Sequence, residues 1–248
     1  MLKDMKTTRP SGFRRALLAG SAALVIGSSA LGLGAYSLLK PTATASGPIA
    51  AVPLTVMTSN DTPSNTTSLT QSLYTIESGA SAATFTIDEV LRGSPKTVIG
   101  TTDQVSGEIA FDVYDPTAAQ VGTILIDART LVTDDSSRNR VLDNEILSTD
   151  QYEYISFTPM AVNGLPDAVT VGQPFTFQVT GDLTIRDATQ STTFAVTATP
   201  AADGSLTGSA TSTIQYSDWG ISIPSVPFVA SVGNAVTLQL DFNANAIA

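Results

Sequence analysis

The side chains most available for chemistry are the 22 carboxylates, because the chain contains no histidine and no cysteine. Thiolate nucleophiles, disulfides, Cys/His zinc sites, histidine-ligated haem and Ser-His or Cys-His pairs are therefore excluded. Catalysis would need two acids held a few ångströms apart across a cleft. The pattern argues against that arrangement. Asp88, Glu108, Asp112, Asp182 and Asp241 each alternate with apolar neighbours, which places them on wet strand faces. Asp134-Asp135-Ser136-Ser137 and Asp203-Gly204 lack the alternating ligands of a calcium loop. The expectation is a non-enzymatic chain without metal or cofactor. Arg129, Arg138 and Arg140 have two readings: pairing with Asp127, Asp143 or Glu145, or donating to a ligand headgroup at the mouth of a cavity.

The apolar residues carry the alternative chemistry of binding. Phe85, Ile87, Phe111, Phe157, Phe175, Phe177, Leu183 and Phe194 fall on the inward positions of alternating segments. An apolar strand face can fill a core or line a pocket, and both readings stay open. Trp219, the sole tryptophan, sits between Asp218 and Gly220 in a bend before Pro224, where it would plug one end of the domain or line its cavity.

The elements that position these residues have period two. Phe175, Phe177, Val179, Gly181, Leu183 and Ile185 share one face, and Thr176, Gln178, Thr180, Asp182, Thr184 and Arg186 the other. The same rhythm runs through Gly107–Val113, Phe194–Val196 and Val236–Phe242, with further strands near 74–78, 83–90, 97–102, 121–128, 153–162 and 206–216. Arg92-Gly93-Ser94-Pro95, Asn163-Gly164 and Asp203-Gly204 mark turns. Only Thr133–Ile146 breaks the pattern, and it reads as a short helix capped at Asp134 or Asp135. Eight or nine antiparallel strands without a long free edge suit closure into a barrel, whose interior at about eight strands admits one small ligand. A two-sheet sandwich is the alternative.

Ahead of this domain, residues 16–39 form a run of 24 uncharged, largely apolar residues, about 36 Å long as a helix. Residues 1–15 form a basic tail expected to stay cytoplasmic, 16–39 a transmembrane signal-anchor, 40–72 a disordered Pro/Thr/Ser/Ala linker, and 73–248 the folded domain. Cleavage near Ala43-Thr44-Ala45 would instead release the domain as a secreted protein. Residues 1–40 carry six bases and one acid, and the remainder six bases and 21 acids. So acidic a body offers no basic stripe for nucleic acid.

The order of these elements resembles the YceI-like family over Tyr74 to Phe242. The resemblance rests on Tyr74-Thr75-Ile76, Ser81–Phe85, Val98-Ile99-Gly100, Val105–Ile109, Ile126–Leu131 with Arg138-Asn139-Arg140, and Tyr154–Phe157. Val179-Thr180-Gly181-Asp182-Leu183-Thr184-Ile185 is similar to the family's G-x-L-T-I strand, and Tyr216-Ser217-Asp218-Trp219-Gly220 to its aromatic segment. The turn at Arg186-Asp187, where members often carry histidine, has none here, so no histidine-dependent role transfers. The resemblance implies an all-β, antiparallel, eight-stranded lipocalin-like barrel with a short helical insert, here preceded by one transmembrane helix. It also implies export from the cytoplasm and an apolar lipid ligand such as a polyisoprenoid or quinone, with the nine residues named above as cavity lining. The competing functional expectation is a solid-packed cell-envelope structural or interaction module.

Overall fold

A computed structural model describes residues 40–54, 71–224 and 229–247. The basic tail and the expected membrane span at 16–39 lie outside the described residues. Among those described, no helix is long and apolar enough to cross a membrane.

The domain is all-β and antiparallel, with one short helix. In chain order the strands are β1 Ser72–Ile76, β2 Ala82–Leu91, β3 Ser94–Thr102, β4 Val105–Ser106, β5 Glu108–Phe111, β6 Gln120–Val121 and β7 Ile124–Asp127. After helix α1 (Ser136–Val141) come β8 Tyr154–Asn163, β9 Phe175–Ile185, β10 Ala188–Pro200, β11 Ser205–Gln215, β12 Val229–Val232 and β13 Ala235–Ala246. The expected count of eight is thus corrected to thirteen among the described residues. The difference arises because long strands are broken into pieces that change partner. β3, β4 and β5 follow one another almost without gap, yet they pair with β2, β7 and β1 respectively. The predicted strand at 121–128 is likewise split into β6 and β7 around Gly122.

The sheet runs β4-β7-β8-β9-β10-β11-β13-β1-β5-β6, with β2 and β3 beside β13. It curls into a half-barrel. β13 holds the curl together, pairing with β11 along its full length, with β2 near its start and with β1 near its end. The two ends of the sheet meet through the chain itself, and the β4–β7 ladder there is only two residue pairs long.

Registers place every element at one of two ends. The β2–β3 and β9–β10 turns, the β7–β8 connection and the β11–β13 segment share one end, which we call the insert end. The opposite end carries the β8–β9 loop and the β10–β11 turn. The hairpin at Arg92-Gly93 has φ of 52° and 81°, the left-handed pair that a two-residue turn matching strand twist demands. Helix α1 begins where the acidic run suggested. The Asp135 carboxylate accepts from Ser137 N at 2.8 Å and Arg138 N at 2.9 Å, and a π-helical turn over Leu142–Ile146 continues the helix.

Residues 40–54 belong to the segment that composition reads as linker, and they lie against the domain. Lys40 pairs with Asp150 at 2.9 Å, and its carbonyl accepts from the Asn144 amide at 3.1 Å. Ser46 donates to Glu153 through its backbone N–H at 2.7 Å and its hydroxyl at 2.8 Å. The Ala50 carbonyl accepts from Ser106 Oγ at 3.1 Å, and Leu54 N–H donates to Glu108 at 2.6 Å. This strap crosses the outside of the short β4–β7 seam.

Inward glycines let rings and neighbouring backbone approach closely. A Cβ at Gly181 would collide with the Thr158 carbonyl and lie 2.8 Å from Pro159 Cα, which is backbone and cannot swing away. Gly181→Ala is therefore expected to cost about 2 kcal/mol by overpacking, read as a lowered denaturation midpoint with an unchanged slope.

Candidate functional site: an apolar cavity inside the curled sheet

The inward faces of the strands do not meet. A cavity of about 1100 Å³ separates them. Phe85, Ile87, Phe111, Phe157, Phe175, Phe177, Leu183 and Phe194 all line it, joined by Ile76, Ile109, Val196, Leu206 and Leu240 on neighbouring strands. The insert contributes Val141, Leu142 and Ile146, which lie across the insert end and face inward. The interior is therefore not packed solid. Its rings are nonetheless ordered: Phe111 stacks on Phe175 and Phe175 on Phe177, each at 5.6 Å, and Phe157 meets Phe194 edge-on at 4.9 Å.

Trp219 is a correction. It is absent from the cavity wall, is 4 % exposed, and donates its indole N–H to the Leu183 carbonyl at 3.0 Å. Its helical turn packs against β10 and β11, and the ring borders a separate polar groove with Gln190, Thr193 and Ser212. A short helical turn at Tyr216–Trp219, ended by Gly220 at φ 65°, points the ring there. Nothing in the local sequence indicates on which side of that bend the ring falls.

The charged lining is confined to one end. Among the described residues the charged members of the wall are Glu89, Arg92, Lys96, Asp135, Arg138 and Glu145, and all belong to the insert end. Arg138 bridges Asp134 and Glu89, the latter at 3.1 Å, while Lys96 pairs with Asp134 at 2.8 Å. These ion pairs tie the β2–β3 hairpin to α1. Arg129 pairs with Glu153 at 2.9 Å and donates to the Thr149 carbonyl at 2.8 Å. The acids that sequence reasoning offered as partners, Asp127, Asp143 and Glu145, are thus not the partners found in these ion pairs. Glu89 on β2 and Glu153 just before β8 reach their arginines only through the fold, whereas Asp134 lies four residues before Arg138 in the chain.

The comparisons with known proteins agree with this geometry. The family model described as a YceI-like domain matches residues 74–244. This chain belongs to the YceI-like family. The crystal structure of Burkholderia cenocepacia BcnA is 17% identical, covering 68% of this chain and 99% of that one, with a TM-score of 0.54. A structure described as a polyisoprenoid binding domain from Saccharophagus degradans is 14% identical, covering 70% and 98%, with a TM-score of 0.55. At these identities the likeness establishes a shared fold. A search of curated proteins finds no match.

Within this YceI-like domain two buried acids, Asp127 and Asp143, each keep a carboxylate oxygen without a hydrogen-bond partner among the described residues, and burial raises the pKa of both. Asp143, 8 % exposed, lies in the π-helical turn beside cavity-lining Leu142, and its Oδ1 meets no hydrogen-bond partner among the described residues. Burial pushes its carboxyl up to about 6. The unfolded chain gives up this proton near pH 4, so between about pH 4 and 6 the folded state holds more protons than the unfolded state. Stability is therefore lost as pH rises through that window and is level above it. Asp143→Asn removes the ionisation and is expected to stabilise the protein by about 2 kcal/mol at pH 8, with little change at pH 4. Denaturant titrations at the two pH values check this.

Proposed function

We propose that this chain is an extracytoplasmic, membrane-tethered and non-enzymatic binding protein that holds a polyisoprenoid, quinone or similar apolar lipid within a lipocalin-like barrel. The observation that carries the reading is the cavity of about 1100 Å³ lined by phenylalanines and branched aliphatics. Such a wall cannot bind water well. A water needs two to four polar partners, and these side chains offer none. Apolar ligand surface entering the cavity gains roughly 25 cal/mol per Å² removed from water, without requiring directional contacts. A space of about 1100 Å³ walled by every long strand has room for a chain-like molecule. The charged rim at the insert end suits a ligand with one polar terminus. Membership of the YceI-like family and the fold shared with a polyisoprenoid binding domain support the same ligand class.

Tethering rests on the sequence: a basic tail, a 24-residue uncharged apolar run and an acidic domain, the order that positive-inside orientation requires. The absence of histidine and cysteine removes the commonest nucleophile and base arrangements, which supports a role without catalysis.

The test is native mass spectrometry and organic extraction of the full chain purified from its own membranes. A co-purifying prenyl lipid or quinone is expected. Ala210→Trp, which places an indole in the cavity wall, is expected to lower that yield while leaving the circular dichroism spectrum unchanged. A wild-type protein that carries no lipid and fails to take up added polyprenyl quinone would overturn the reading.

A further inference from the structure

We infer that residues 40–54 are a rigid mount that turns the insert end of the domain, and with it the charged rim of the cavity, toward the bilayer surface. The inference rests on the tethered reading above. The apolar run proposed to span the membrane ends at Leu39, and the next residue is already held by the domain. Lys40 is bound on both its side chain and its carbonyl, by Asp150 and Asn144. Asn144 belongs to the π-helical turn from which Leu142, Glu145 and Ile146 line the cavity. The chain therefore joins the domain on the outer side of the element whose inner side closes the cavity.

From there the strap descends the wall. Thr44 and Ser46 accept from the Arg129 guanidinium at 3.2 Å, Ser46 donates twice to Glu153, and Ala50 and Leu54 reach β4 and β5. Hydrogen bonds from the Ser46 N–H and hydroxyl, with Arg129 beside them, hold the Glu153 carboxyl below its usual range. The strap thus binds at successive points across 15 residues and cannot act as a swivel. A free linker of the same length would have a reach of roughly 20 Å in any direction.

Side-chain chemistry at the two ends agrees. All seven lysines and arginines of the described residues (Lys40, Arg92, Lys96, Arg129, Arg138, Arg140 and Arg186) stand at the insert end. The opposite end carries Asp112, Asp115, Asp167 and Asp203 and no cation among the described residues. Acids share the insert end and pair with Lys40, Lys96, Arg129 and Arg138, so that end is not net basic. It is, however, the end at which every guanidinium and ammonium group of the described residues is gathered.

The chain has no cysteine, so single-cysteine labelling reports orientation directly. Ser136→Cys marks α1, and Ala202→Cys marks the opposite end, roughly 35 Å away along an 11-residue strand. The full chain is reconstituted in phosphatidylcholine/phosphatidylglycerol vesicles that contain a headgroup quencher lipid, and it is extracted in parallel with alkaline carbonate. The expected result is retention in the membrane pellet, with a label at 136 quenched several-fold more strongly than one at 202. Adding Asp150→Asn and Glu153→Gln is expected to bring the two values together. Retention with equal quenching, or with stronger quenching at 202, would overturn the mount while leaving the tether standing. An unaltered ratio in the double variant would overturn the strap as its cause. Carbonate release would overturn the tether and the mount together.

Discussion

The interior of the curled sheet is wider than its own side chains can fill. Strand alternation sends phenylalanines and branched aliphatics inward from every side, and still they leave about 1100 Å³ between them. Interiors normally pack to crystal-like density, so this shortfall is a standing cost in lost contacts along the whole wall. Much of the remaining architecture limits that cost. The Phe111–Phe175–Phe177 stack gives the rings partners within the wall, and the helical insert lays Leu142 and Ile146 across one end. Ion pairs from Arg138 and Lys96 then lock the insert to the β2–β3 hairpin.

The long strands were legible because each has one wet face. Phe175–Ile185 occupies the segment that alternation marked, and Asp135 caps the helix as the acidic run implied. The wall residues were legible for the same reason, since all eight named from periodicity face the cavity. Whether they would touch one another was not, because alternation gives direction and not distance. The two-residue strands β4 and β6 are too short to show a period, and β12, with Ser231 between valines, shows none that is distinctive. Trp219 was misplaced because a turn residue has no face until the turn is built.

The strap was the least legible element, and the reason is chemical. Its contacts run largely through groups that every sequence carries: the Ser46 and Leu54 N–H groups and the Thr44 and Ala50 carbonyls. A composition of Pro, Thr, Ser and Ala correctly reports that the segment buries little apolar surface. It cannot report that Glu108, Arg129 and Glu153 wait on the domain to receive its backbone. The family relationship covers 74–244 and begins after the strap, so the strap is particular to the part of this chain outside the matched domain.

The central role of β13 has a consequence in time. Tyr74 pairs with Ala246, and β2 finds its second neighbour on the same last strand. A chain made from its N-terminus must therefore present β1 and β2 with one edge bare until about 170 more residues have followed, roughly 10–30 s at ordinary synthesis rates. The seam at β4–β7 and the strap's contacts with Asn144, Asp150 and Glu153 have all their partners in hand earlier, once those residues emerge. Such a high contact order makes the domain a slow folder whose half-built sheet shows a wet-edged, greasy surface to its surroundings. The β9–β10 hairpin, with Thr180 bonded to Thr193 and Thr184 to Thr189 at 2.8 Å on its outer face, is by contrast local in sequence and needs no distant partner to pair.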